Sequence, residues 1–408
     1  KNNKKNSMYL WASDLFPITR SITGPGVRET LKYIKKLIPD LKIHSVKSGK
    51  KFFDWTVPKE WFPNEAWIKN KKGDLIIDFK KNNLHLVGYS HSINKWMDIK
   101  ELNKHLFSLP EQPNAIPYVT SYYKKNWGFC IEYEKLKKLK NKKYKVFIDS
   151  YFKKGSLSYG EILLKGKTKK EIFISTYICH PSMANNELSG PTVLIYIAKW
   201  LSNLKNRYYS YRIVFVPETI GSLTYIHQNF KSLKSNVIAG FNLTCIGDDK
   251  NYSYINSRDG NTITDKVVSH TYKYGLKKYK QYSWLDRGSD ERQYCSPYIN
   301  LPLVTLMRSK FDLYPEYHTS LDDLKKVVTP KGLGESYNLI KRIINVFENN
   351  FIYKVNFIGE PHFTKYNMYH SISNKNSNNS SIDYKLLRNI ISYCDGSNNL
   401  LEIANKLN

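Results

Sequence analysis

The sequence predicts an α/β protein with a doubly wound, mostly parallel central sheet, an inserted β-rich segment and a small C-terminal helical element. Three observations predict it. Nearly continuous apolar runs occur at residues 171–178, 211–216, 237–243 and 303–307, and strands buried on both faces of a mostly parallel sheet read this way. Helical patterns separate these runs, and alternation of strand with helix is the signature of a doubly wound sheet. Polar, chemically capable residues gather just beyond the carboxyl ends of the runs, where such sheets bind ligands.

The chain opens with a Gly- and Pro-marked loop, residues 17–26. A helix follows, with Val27, Leu31, Ile34 and Leu37 at three- and four-residue steps. From Trp55 to Tyr151 the texture changes to short alternating segments at 74–79, 84–88 and 145–149, and Trp55, Trp61, Trp67, Trp96 and Trp127 concentrate there. This stretch is expected to be a small β-rich insertion. In the main unit, residues 190–204, 222–229 and 262–274 read as helices between the four runs. A polar linker is expected at 374–381. Residues 382–407 then read as two short helices carrying Leu386, Leu387, Ile390, Ile391, Leu400, Leu401, Ile403 and Ala404. The expected organisation is a main domain of residues 1–54 and 152–352, an insertion of 55–151 and a C-terminal domain of 353–408.

With 408 residues, 41% hydrophobic and 24% charged, the composition is globular and long enough for a large core. No run of 18 apolar residues exists to span a membrane. The first eight residues are not followed by the apolar stretch of a signal peptide. The five cysteines, Cys130, Cys179, Cys245, Cys295 and Cys394, are widely separated and form no C-x-x-C pair. Free thiols in a reducing, cytoplasmic setting are expected rather than disulfides or a cysteine-built zinc site. A formal charge of +29 raises a nucleic-acid partner. The lysines are scattered, however, and read mainly as a solvated surface, with an acidic substrate or polyanionic partner left open. The C-terminal element carries only Lys385, Arg388 and Lys406 against Asp383, Asp395 and Glu402, a poor balance for engaging phosphates.

The first run ends at Cys179-His180-Pro181, followed by Asn185, Asn186 and Glu187 before Leu188-Ser189-Gly190 opens a helix. A neutral histidine and a nearby carboxylate are common zinc ligands; the alternative is a histidine that only ends the strand. The second run leads to Pro217-Glu218-Thr219-Ile220-Gly221-Ser222. A glutamate there suits a general base acting on a metal-activated water, or a carboxylate favoured by a helix N-terminus. His318 follows the fourth run as a further candidate ligand, and Ser320, Asp322 and Asp323 read as a helix start. Arg287 and Arg292 can grip a carboxylate or phosphate, and Asp290 an amine; the alternative is a surface ion-pair network.

The order of these stretches resembles a family of bacterial aminopeptidase-like proteins related to the dizinc aminopeptidases, with an inserted small β domain and a C-terminal winged helix. The matching stretches are residues 15–24, 53–58, 179–190, 216–222, 245–249, 286–294 and 317–323, so the resemblance covers nearly the whole chain. It implies a zinc-aminopeptidase-like fold with His180 and His318 as metal ligands and Glu218 as general base. It places Asn186 where the dizinc enzymes have a bridging aspartate, and Thr219 and Thr244 where they have two further carboxylates. One zinc is then expected, with Glu187 or Asn186 as the remaining ligand and the carboxylate displaced one position along the chain. Asp286, Arg287, Asp290, Arg292 and Tyr317 are the candidate substrate-binding residues.

The function expected is that of a zinc-dependent aminopeptidase- or amidase-type hydrolase acting on a small peptide or an acylated amine, including an acylated amino sugar. The alternative is an altered scaffold that binds rather than hydrolyses, in surface-polysaccharide biosynthesis. No membrane partner is expected, nucleic acid is disfavoured, and a homo-oligomer is compatible with the sequence.

Overall fold

The structure is a computed structural model describing residues 2–366 and 384–407. In chain order it begins with α1 (Asn2–Leu15), α2 (Pro25–Leu37) and β1 (Lys42–Lys47). A second group of strands follows: β2 (Glu60–Lys69), β3 (Leu75–Asp78), β4 (Ile93–Asp98) and β5 (Lys143–Lys153). The main unit continues with β6 (Ser156–Leu164), β7 (Glu171–Tyr177), α3 (Ser189–Asn203), β8 (Ser210–Val216), α4 (Ile220–Asn236) and β9 (Val237–Leu243). It closes with β10 (Ser253–Ile255), α5 (Ile263–Gly275), β11 (Lys280–Tyr282), β12 (Leu303–Met307) and α6 (Pro330–Asn349). Beyond it lie β13 (Ile352–Lys354), α7 (Tyr384–Ser392), β14 (Asp395–Asn399) and α8 (Leu400–Lys406).

The central sheet has eight strands in the order β1-β6-β8-β7-β9-β12-β10-β11. Its middle strands β8, β7, β9 and β12 pair in parallel, while β1, β6 and β10 join antiparallel towards the edges. The middle strands are the four apolar runs of the sequence, and β7 and β8 are buried at every position. Alternate side chains feed two cores. Ile172, Ile174, Ile213 and Phe215 face the helices α2, α3 and α6 on one side. Phe173, Val214 and Val216 face Tyr225 and Ile226 of α4, together with Trp61, Ala66, Ile68 and Ile148 of the second sheet, on the other. The four-stranded sheet β3-β2-β5-β4 therefore shares a continuous core with one face of the main sheet. A bidentate Arg28–Glu60 pair at 2.6 and 2.8 Å also joins it to α2.

The structure corrects several local expectations. Helix α1 was unanticipated: its apolar positions are interrupted by polar ones, yet Met8, Ala12 and Leu15 are fully buried, and Leu15 packs with Leu188 beside the site described below. Residues 84–88 form no strand but a 3₁₀ turn at Asn83–His85 with an Asn82 side-chain cap. Ser320, Asp322 and Asp323 start no helix; the helix begins at Pro330, capped by Thr329. The linker expected at 374–381 lies outside the described residues. All five cysteines are free and buried, and among the described residues no helix is long and apolar enough to cross a membrane.

Candidate active site

The chain leaves β7 through α3 to reach β8 on one side, then through α4 to reach β9 on the other. The divergence opens a crevice at the carboxyl end of β7, the usual ligand position in such a sheet. His180 follows β7, Glu218 follows β8, and Thr244 and Cys245 follow β9.

Between His180 and α3 the backbone makes one wide π-helical turn, Ala184–Leu188. Turns of this kind are rare and are frequent at functional sites. Here the turn is tied from outside. Asp322 accepts the N–H of Asn185 at 2.7 Å and that of Asn186 at 2.8 Å, and Ala184 N–H donates to the Asp322 carbonyl. The turn is thereby joined to the loop that carries His318. Gly190 lies where α3 meets the sheet; a Cβ there would sit 2.2 Å from Thr176 Oγ1 and 2.8 Å from the Leu243 carbonyl.

The turn decides what its polar residues face. Asn185 spans to the next loop, donating to Asp248 at 3.1 Å and accepting from Gly247 N–H at 2.8 Å. The Asn186 amide oxygen accepts from the Tyr177 hydroxyl at 2.8 Å, and that hydroxyl also meets Thr244 Oγ1 at 2.5 Å. Glu187 is fully enclosed. Its Oε2 lies 3.0 Å from the His180 N–H and 2.9 Å from His180 Nδ1, and its Oε1 lies 3.4 Å from Arg20 Nε. Arg20 in turn donates to the carbonyls of His180 and Leu15 at 2.8 and 2.7 Å. Cys179, an unanticipated neighbour, completes a group in which the donor atoms of Cys179, His180 and Glu187 lie within 4.8 Å of one another.

The other ring nitrogen, His180 Nε2, is 3.5 Å from Glu218 Oε2. Glu218 also accepts from Ser289 Oγ at 2.9 Å. The residue after it, Thr219, has φ 63° and ψ −75°, and Ile220 N–H donates to the Glu218 carbonyl at 2.8 Å. That is a γ-turn with positive central φ, a rare and strained conformation, most costly for a β-branched residue. Asp290 holds it: one oxygen accepts from Thr219 N–H at 2.7 Å and from Ser222 Oγ at 2.8 Å, while the other is buried without a partner. Glu291 secures the same loop by accepting from Gly288 and Ser289 N–H at 2.6 and 2.9 Å.

His318 also sits at positive φ, 53°. Its carbonyl accepts from Tyr118 N–H at 2.8 Å, and Tyr317 stacks on its ring at 3.9 Å. The His180 and His318 rings are 5.7 Å apart, and Tyr118 stands edge-on to both. Burial holds His318 in its neutral form, its pKa pushed down to about 3, with the His180 charge adding to the effect. For His180 burial acts the same way, but the Cys179 sulfur and the Glu187 and Glu218 carboxylates outweigh it and raise the ring well above the ordinary range. Burial raises the Glu218 carboxyl, against the pull of His180 and Ser289. Asp290 is raised by burial and then by the Glu218 charge to about 8.

A pocket of about 240 Å³ covers these groups, with His180, His318, Glu218 and Thr219 lining it together with Trp55, Tyr118 and Tyr122. Of the candidate substrate-binding residues, Tyr317 touches His318 and Asp290 lies beneath the pocket. Arg292 reaches Thr219 Oγ1 at 3.4 Å. Asp286 and Arg287 do not join them: Asp286 caps the exposed turn at Trp284–Asp286, and Arg287 lies over the Trp284 ring at 4.9 Å. Arg20, Cys179, Ser289, Asp322 and Tyr118 were not singled out as site residues from the sequence. The only sequence signal for Arg20 is its place in the 15–24 stretch.

Comparison with known proteins agrees with this architecture. Residues 9–350 match the family described as "Domain of unknown function (DUF4910)", and residues 351–408 match a winged helix-turn-helix. A Clostridium acetobutylicum protein provisionally named a polysaccharide biosynthesis protein with an aminopeptidase-like domain is 44% identical over 98% of this chain and 91% of its own length. A crystal structure from the same organism, provisionally named a peptidase, matches with TM-score 0.92 and 42% identity over 100% of this chain and 92% of that one. The Bacillus subtilis zinc aminopeptidase shares the fold, with TM-score 0.62 and 12% identity over 84% of this chain and 94% of that one.

Proposed function

The chain belongs to the DUF4910 family, built on an aminopeptidase-like hydrolase scaffold with a C-terminal winged helix, and from that premise we propose that it is a zinc-dependent amide hydrolase. The observation that carries the proposal is the convergence of His180, Glu218 and His318 on one pocket at the sheet's switch point.

The donor set supports a metal on the Nε2 side of His180. Two imidazoles, His180 and His318, face the pocket there, one short of the three protein ligands usual at a catalytic zinc, whereas on the Nδ1 side the buried guanidinium of Arg20 stands against Glu187 and would repel a cation. His180 and His318 would hold the zinc, with Glu187 orienting His180 through Nδ1 as partners of ligating histidines do. When bound, zinc supplies a Lewis acid and an acidified water. Glu218, poised by burial and by Ser289, takes the proton of the attacking water and returns it to the leaving nitrogen. The amide C–N bond breaks, the hydroxyl adds to the acyl carbon, and a carboxylate and an amine leave. Tyr118 and Tyr317 pack against the two imidazoles and limit water.

The test is elemental analysis of protein purified without chelators, followed by a screen of aminoacyl and N-acyl amides. One zinc per chain with turnover abolished in E218Q supports the proposal; absence of zinc after reconstitution rejects it. A second reading, a binding scaffold in polysaccharide assembly, is favoured by the neutral residues Asn186, Thr219 and Thr244 and by the name of the Clostridium relative. Stable ligand binding without turnover would select it.

A further inference from the structure

The pocket's walls carry information about the substrate that the reaction chemistry does not. Among the described residues that line it, the only carboxylate is Glu218, already engaged by His180 Nε2 at 3.5 Å and Ser289 at 2.9 Å and assigned to proton transfer. A free peptide N-terminus is an ammonium, and enclosing it in a pocket needs a dedicated opposite charge. Of the acids that touch lining residues, Glu187 is enclosed between His180 and Arg20, and Asp290 is completely buried beneath the turn, with one oxygen held by Thr219 and Ser222. Arg292, which contacts the lining residue Thr219, is positive.

The mouth has a different character. Trp55 and Tyr123 both line the pocket and meet edge to face at 6.1 Å, yet remain 37% and 52% exposed. Tyr123 is fixed by donating to the Thr56 carbonyl at 2.8 Å, so the two rings form an ordered ledge. Deeper in, the Tyr118 and Tyr122 hydroxyls face each other at 3.3 Å and can trade that contact for hydroxyls of a ligand. Exposed aromatic rings at a pocket mouth, with a few polar groups inside, describe a site for a ligand that has an apolar face and several hydroxyls. A pyranose ring presents both.

We propose that the pocket takes an N-acylated amino sugar, with its pyranose ring on Trp55 and Tyr123 and its acyl-amide directed at Glu218, in place of a peptide with a free amine. The assignment rests on the amide-hydrolase reading for the amide's orientation, but the sugar's recognition stands on the ledge itself.

The experiment measures binding to the full chain by calorimetry and saturation-transfer NMR, with N-acetylglucosamine and leucinamide as probes. Wild-type protein is expected to bind N-acetylglucosamine and not leucinamide. W55A and Y123A are each expected to weaken it about tenfold, the worth of one aromatic contact, while Y298A, at an exposed tyrosine that does not line the pocket, leaves it unchanged. Leucinamide binding without sugar binding, binding of neither probe, or sugar binding insensitive to both mouth variants would overturn the assignment. Sugar binding without release of acetate retains the assignment and rejects the hydrolase reading, so the two failures are distinguishable.

Discussion

Glu187 grips His180 twice through one oxygen, at 3.0 Å from its main-chain N–H and 2.9 Å from Nδ1. This leaves Nε2 as the nitrogen that faces Glu218 and the pocket. H180A and H318A are therefore expected to lose zinc outright. E187A should retain the stoichiometry with affinity lowered about 10- to 100-fold, the usual effect of removing such a partner. Zinc titration of the three variants decides it. Zinc loss in E187A and C179S with retention in H318A would move the metal to the Nδ1 side.

Arg20 and Glu187 are both completely enclosed. Breaking a buried pair leaves an uncompensated charge and costs about 3–5 kcal/mol. R20A should lose that much in urea unfolding, and R20A/E187Q should recover part of it by discharging the orphan. Equal stability of single and double variants would show that the pair is not electrostatically coupled.

The Asp290 clamp on the Thr219 γ-turn predicts a non-additive double-mutant cycle. D290A removes two acceptor contacts, at a cost of about 1–3 kcal/mol. Glycine adopts positive φ without strain, so T219G should offset part of that loss, with a coupling of about 0.5–3 kcal/mol. Additive unfolding energies would mean that the turn holds itself.

Asp322 should impose a pH slope on stability. Burial raises its carboxyl to about 7, against the two backbone N–H groups and Tyr314, while the unfolded group titrates near 3.9. Its contribution is present in full below the unfolded value and is lost as pH rises through about 7. D322N loses acceptor capacity at every pH, but its deficit relative to wild type should shrink between pH 5 and pH 8. A constant deficit across that range would exclude the raised carboxyl.

Much of this architecture was legible in sequence because its signals are local. Residues 171–177 and 237–243 declare buried strands by nearly continuous apolar character, and His180 and Glu218 stand out because neither is needed to end a strand. Residues 84–88 misled because apolar alternation over so few positions does not separate a strand from a 3₁₀ turn, and the Asn82 cap decided the outcome. Helix α1 was missed because its apolar stripe is narrow and is buried only through docking against α3 and α6.

The sequence by itself determined the order of the strands' residues, the placement of polar groups at their ends, and the neutral character of Asn186, Thr219 and Thr244. Only the tertiary structure decided that Glu187 turns towards His180, that Arg20 closes over it, and that Asp290 and Asp322 brace the two turns. These contacts join residues 160 and 136 positions apart in the chain in the cases of Arg20–His180 and Asn186–Asp322. Their energies arise from burying polar and charged groups with their hydrogen-bond partners, a condition that exists only once the sheet has brought its strand ends to one point.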